Sequence, residues 1–269
     1  NTYIFKHASN YTLLVNTREF VNKFNEIIKL VTTSKKTVVL TGAGISTESG
    51  LPDFRSKDGF WTKNKPIQFQ EFIDDEKKQR LSWSRNIELN KILKKISPNL
   101  GHEFVEKVVN LEDKENYLIT QNIDGLHQRS GVLEDKIIEI HGNAIEAKCL
   151  NCGKKANILD FHAAIKANNP LPKCFYCKGI IKVATISFGQ PMDENDMFQA
   201  SKISRECDLM IVMGSSLSVM PAGQIPSLAI QSGAKLVILN REDTIYDDMA
   251  DIVINDELKV ICNKLIKLL

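Results

Sequence analysis

"TVVLTGAGISTESGLPDFR", Thr37 to Arg55, is the stretch on which the fold turns. Its first four residues are apolar or β-branched without alternation, the pattern of a short strand buried on both faces of a parallel sheet. Gly42-Ala43-Gly44 follows at once. Glycines there permit a tight turn and close backbone approach to a diphosphate, and a helix after the turn offers free N–H groups to the anion. The full dinucleotide fingerprint wants a third glycine where Thr47 stands, and no Gly-x-x-x-x-Gly-Lys loop occurs. Taken alone the loop is satisfied equally by a dinucleotide site and by a tight strand-to-helix turn.

Three further apolar runs end in polar turns: "YLIT" (117–120) before "QNIDGLH", "LMIVM" (209–213) before "GSSLS", and "KLVIL" (235–239) before "NRED". Helical patterns lie between them, beginning with 17–31, where Phe20, Phe24, Ile27, Ile28 and Val31 share one face behind a Thr17 cap. The reading is an α/β fold, a Rossmann-like doubly wound parallel sheet whose polar turns converge on one crevice at the strands' carboxyl ends. Two segments break the rhythm. Residues 59–100 read as a helical insertion and 148–188 as a cysteine-bearing module, together a smaller domain. Residues 1–58, 101–147 and 189–269 make the sheet domain.

The 35 basic and 33 acidic residues leave a net charge of +2, which gives no reason to expect a nucleic-acid or membrane partner. No apolar run approaches the ~18 residues of a membrane span, and "NTYIFKHASNYT" lacks the apolar centre of a signal peptide. A cytoplasmic location is expected, or the mitochondrial matrix in a eukaryote. Cys149-x2-Cys152 and Cys174-x2-Cys177, 21 residues apart, read as two knuckles presenting four thiolates to one Zn²⁺. Four cysteine ligands leave no open position, so this zinc is structural. Cys207 and Cys262 sit in apolar runs, as buried thiols do.

Gln121, Asn122 and Asp124 follow a strand end directly. Their side chains suit a ribose or a carboxamide, and suit an Asx turn equally well. His141, in "IIEIHGN", stands at a strand's end, where a general base belongs. A core histidine held by backbone is the competing reading. The other histidines are placed less well for catalysis.

"GAGIS…SGLPDFR", "TQNIDGLH", "HG", the paired Cys-x-x-Cys, "SFGQPM", "GSSLSV" and "LNRED" occur in the order found in sirtuins. From about residue 18 onward the chain resembles that family of NAD-dependent protein-lysine deacylases and ADP-ribosyl transferases. "KPIQFQEF" (65–72) and "QRLSWSRN" (79–86) resemble the branch of mitochondrial-type sirtuins and their bacterial relatives. The resemblance implies NAD as a consumed co-substrate beside one structural zinc. It implies that Gly42, Ala43, Gly44 and Ser46 line the diphosphate and inner pocket, and that Asp53, Phe54 and Arg55 belong to a loop closing over NAD. Gln121, Asn122, Ile123 and Asp124 bind the nicotinamide side, Asn122 and Asp124 as catalytic groups, with His141 as general base. Gly214, Ser215, Ser216, Asn240, Arg241 and Glu242 hold the adenosine half. Ser187–Gly189 and Ser218–Met220 are expected as two strands that take a substrate peptide as a third, with Phe188, Gly189, Ser218 and Val219 against it. Arg85, in Ser82-Trp83-Ser84-Arg85, offers a partner to an acidic acyl group, although the family's tyrosine is absent there. Val183 and Gln190 replace the family's usual proline and glutamate in "VATISFGQ", which bears on peptide preference. Deacylation is the leading activity, and protein mono-ADP-ribosylation at the same NAD site is the alternative.

Overall fold

The computed structural model describes residues 20–53, 65–167 and 170–269. Six parallel strands form the main sheet: β1 (Thr37–Thr41), β2 (Tyr117–Thr120), β3 (Ile137–Glu139), β7 (Leu209–Met213), β8 (Lys235–Leu239) and β9 (Ile252–Ile254). Their order is β3-β2-β1-β7-β8-β9. Counted within this sheet that is 3-2-1-4-5-6, the doubly wound dinucleotide-binding order, with its switch point between β1 and β7. The register aligns Val39 with Leu118 on one side and with Ile211 on the other. β3 and β9 are three-residue edge strands, too short to stand out as apolar runs.

Alternation along the strands assigns two cores. Val39, Ile211 and Val237 face helix α1 (20–33), α4 (Leu100–Val109) and α9 (Leu258–Leu268). Val38, Leu40, Val212 and Ile238 face α7 (Glu194–Glu206) and α8 (Ile225–Gln231). Apolar residues on both faces of one strand are why those runs lack alternation. The expected cap of α1, Thr17, lies outside the described residues.

The insertion supplies α2 (Phe69–Asp74) and α3 (Glu76–Leu93). An antiparallel sheet in the order β5-β4-β6 joins β4 (Gly142–Cys149), β5 (Lys155–Asn157) and β6 (Ile181–Thr185), with α5 (Leu126–Ser130) before it and α6 (Leu159–Lys166) within it. Trp83, Phe161, Ile158 and Ile181 make its core. α3 buries Gln79, Trp83, Asn86, Ile87, Asn90 and Leu93 along one stripe. The buried amides are satisfied: Asn86 and Asn90 both donate to the Ala144 carbonyl, at 2.9 and 3.0 Å. They tie the insertion to the strand that follows His141.

Candidate active site

Five of the six strand ends continue their ladders by one residue. Gly42 N–H donates to Met213, Gln121 to Thr41, Ile140 to Thr120, Gly214 to Leu239 and Asn240 to Ile254. The loops after β1, β2, β3, β7 and β8 are therefore held at one edge of the sheet, around two adjoining cavities of about 410 and 380 Å³. Ala43, Gln121, Asn122, His141 and Val219 line both.

The glycine loop does more than approach a ligand. A Cβ on Gly42 would lie 2.7 Å from Ser215 Cβ, and one on Gly44 2.8 Å from the Gly214 carbonyl oxygen. Gly214 itself has φ +61, and a Cβ there would meet Ile45 N at 2.4 Å. These glycines let the two loops at the switch point touch, through the bond from Gly44 N–H to Gly214 O at 2.8 Å. Gly214→Ala is expected to cost about 3 kcal/mol in urea unfolding, from positive φ and backbone overlap together, and to weaken NAD binding at least about tenfold in calorimetry. The helix expected after the loop is a 3₁₀ turn, Ala43–Ser49. Asn99 accounts for this tight winding, because its Nδ2 donates to Ile45 O (2.8 Å) and Ser49 Oγ (2.9 Å). Asn99 was not singled out in the sequence; its only signal is a cap residue ahead of α4.

Asn122, Asp124 and Ser46 form a buried knot. Asn122 Nδ2 donates to Gly42 O (3.1 Å) and Ser46 Oγ (3.2 Å), and Ser46 Oγ donates to Asp124 Oδ2 (2.7 Å). Asp124 Oδ1 accepts from Leu126 N–H at 2.9 Å. Burial pushes the Asp124 carboxyl up, and these two donors oppose the shift. Asn122 Oδ1 is buried with no hydrogen-bond partner among the described residues, an acceptor suited to a ligand hydroxyl. Gln121 Nε2 donates to Ser215 Oγ (2.8 Å), joining the loops after β2 and β7.

His141 Nδ1 lies 3.0 Å from Gln121 O. A carbonyl only accepts, so Nδ1 carries the hydrogen and Nε2 the lone pair. Burial pushes this histidine below its ordinary 6.5, against the pull of the Gln121 carbonyl. The ring is thus neutral at pH 7, with an acceptor nitrogen available at the junction of the two cavities.

Ser46, Ile123, Asp124, Arg85, Phe188 and Gly189 line the larger cavity with many apolar side chains. Gly42, Gly44, Asp53, Gly214, Ser215, Ser216, Ser218, Asn240, Arg241 and Glu242 line the other. Arg85 Nη1 donates to Lys65 O at 2.9 Å. Phe54 and Arg55 lie outside the described residues. One expectation is corrected: Ser187–Gly189 and Ser218–Met220 are not strands. The first closes as a turn, with Ser187 N–H donating to Gln190 Oε1 (3.1 Å) and Gln190 N–H to Ser187 O (3.0 Å). The second runs as a loop into a turn, and the Phe188 carbonyl accepts from Phe69 N–H at 2.9 Å, at the start of α2.

Apart from this crevice, the Sγ atoms of Cys149, Cys152, Cys174 and Cys177 all lie within 4.8 Å of one another. Cys149–Cys177 and Cys152–Cys174 are 3.5 and 3.7 Å apart. A tetrahedral Zn²⁺ with ~2.3 Å bonds requires S···S of about 3.8 Å, so the four sulfurs fit it. Cys207 and Cys262 are free and buried.

The family model of the Sir2 family matches residues 42–221, from the glycine loop to the far wall of the crevice. The chain belongs to the Sir2 family. It is 43% identical over 229 residues to NAD-dependent protein deacetylase 1 of Bradyrhizobium diazoefficiens, covering 85% of this chain and 89% of that one. It is 37% identical to the NAD-dependent protein deacylase of Aquifex aeolicus, covering 80% and 87%. Among solved structures, a Sir2 complex with a p53 peptide and NAD⁺ superposes with a TM-score of 0.76 at 34% identity, covering 90% and 97%. A Sir2 chain bound to a propionylated peptide gives 0.78 at 34%, covering 91% and 97%. His102 and His127, read as less well placed for catalysis than His141, lie buried beside Ser46 and Thr41.

Proposed function

We propose that this chain removes acyl groups, acetyl first among them, from protein lysines at the expense of NAD and one water, yielding nicotinamide, free lysine and O-acyl-ADP-ribose. The observation that carries the reading is His141: a neutral ring, locked through Nδ1, at the meeting of the two cavities. NAD, when bound, supplies the electrophilic ribose carbon and the nicotinamide leaving group. Gly42, Ala43 and Gly44 with Gly214, Ser215 and Ser216 would hold its diphosphate end, and Asn240, Arg241 and Glu242 its adenosine. Asp53 would lie over it. Asn122, with its spare Oδ1, and Gln121 would hold the nicotinamide ribose, and Asp124 the carboxamide. His141 takes a proton at Nε2, and the Gln121 carbonyl stabilises the imidazolium that forms. Ile186, Phe188, Val219 and Pro66 wall the larger cavity and exclude water from the acyl group. Phe188, Gly189, Ser218 and Val219 would flank the peptide, which would lie extended between them.

The Cys149–Cys152–Cys174–Cys177 set holds a closed structural zinc that takes no part in the chemistry. We assign the small domain to 59–100 and 148–188 and the work to the cell interior; among the described residues no helix is long and apolar enough to cross a membrane.

The test is incubation with NAD and an acetyl-lysine peptide, followed by mass spectrometry. Equal amounts of nicotinamide, deacetylated peptide and O-acetyl-ADP-ribose are expected. Nicotinamide release with the acetyl group retained and ADP-ribose on protein would establish the transferase reading instead.

A further inference from the structure

His102 and His127 are 0% and 1% exposed, with ring centroids 4.9 Å apart. His102 is the third residue of α4, and its Nδ1 accepts the Asn99 N–H at 3.2 Å, closing a capping box at the helix start. A backbone N–H only donates, so Nδ1 holds the lone pair. In the neutral ring Nε2 then carries the hydrogen. Burial keeps the ring neutral, pushing it down to about 4. Nε2 lies 3.4 Å from Ser46 Oγ.

Ser46 Oγ now has two groups that can only donate to it, His102 Nε2–H and Asn122 Nδ2–H (3.2 Å). Both lone pairs are taken, so its own hydrogen has one outlet, Asp124 Oδ2 at 2.7 Å. With Leu126 N–H on the other oxygen, both Asp124 oxygens are acceptors. If Ser46 turned its hydrogen elsewhere, Asp124 would lose a donor in a place where burial already favours its protonated form. His127 closes the back of this chain. Its Nε2 engages Thr41 Oγ1 at 3.0 Å, so the ring packs against His102 without competing for Ser46.

We propose that His102 is a positioning residue: anchored by the helix cap, it directs the Ser46 hydroxyl onto Asp124 and so holds that carboxylate as an acceptor for a ligand amide. The amide in question is the NAD carboxamide, so the proposal rests on the deacylase reading.

Two variants separate this role from helix capping. In His102→Asn the side-chain oxygen replaces Nδ1 at the cap, and no donor reaches Ser46. In His102→Gln, a residue usual at this capping position, the oxygen serves the cap and the amide nitrogen extends toward Ser46. His102→Asn is expected to lower NAD affinity by calorimetry, and kcat/KM for NAD, by about tenfold, and His102→Gln to stay within about threefold of the parent. In the unaltered protein, ¹⁵N spectra of the histidine rings should show His102 as the Nε2–H tautomer at pH 7. An Nδ1–H tautomer, an Asn variant equal to the parent, or a Gln variant as impaired as Asn overturns the proposal. Absence of turnover in the parent chain counts against the deacylase reading instead; the tautomer and the NAD affinities still decide the role of His102.

Discussion

His141→Ala is expected to lower kcat/KM for deacetylation by about 100- to 10,000-fold, the usual cost of losing a positioned general base. Stability should hardly change. The substitution removes one hydrogen bond, from Nδ1 to Gln121 O, a loss of about 1 kcal/mol and a few degrees in Tm. The pH profile of the parent enzyme gives a second check. The working form is the unprotonated ring. Activity is present above its pKa and falls as pH drops through it. Burial places that pKa below 6.5, so the acid limb of kcat/KM should lie below pH 6.5. Near-parental rates in the alanine variant would remove His141 from the chemistry. An acid limb above pH 7 would contradict its burial.

Loss of the zinc should be the most damaging change to the small domain. Two of the four ligands, Cys149 and Cys174, are themselves members of its small buried cluster. A structural Zn²⁺ supplies on the order of 10 kcal/mol to folding, against the ~5–15 kcal/mol of a whole domain's stability. The cluster cannot make up that difference. Cys174→Ser is expected to lower bound zinc well below one ion per chain, measured by elemental analysis, and to abolish deacetylation. The activity goes because β4 and β6 carry Ala144, Val183 and Thr185 in the wall of the larger cavity. The six-stranded sheet has separate cores and should remain protected in hydrogen exchange. Full activity without metal, or collapse of the main sheet with it, would contradict this division of the molecule.

The four long central strands were legible because residues buried on both faces must be apolar throughout, as Val38, Val39 and Leu40 are. The edge strand β3 showed only as the strand end before His141, and β9, also three residues long, carries too little pattern to read. The paired cysteines were equally plain, since metal geometry constrains their spacing directly. Phe188 and Val219 border the larger cavity in loops and turns rather than in the expected strands, because short segments such as these carry too little pattern to separate the two. His102 and His127 ranked below His141 in the sequence. Their significance comes from Ser46 and Thr41, 56 and 86 residues away in sequence, and no local pattern reports such a distance.

By itself, then, the sequence determined the parallel sheet, the four-cysteine metal set and the polar residues at the strand ends, all consequences of local periodicity or spacing. Only the tertiary structure decided what those residues do to one another. The glycines of "GAG" are required as much by Gly214 across the switch point as by any ligand. The proton of Ser46 is aimed by a histidine on another helix. Directions of hydrogen bonds and close backbone approaches depend on atoms brought together by the fold, and these are settled only when the chain has closed on itself.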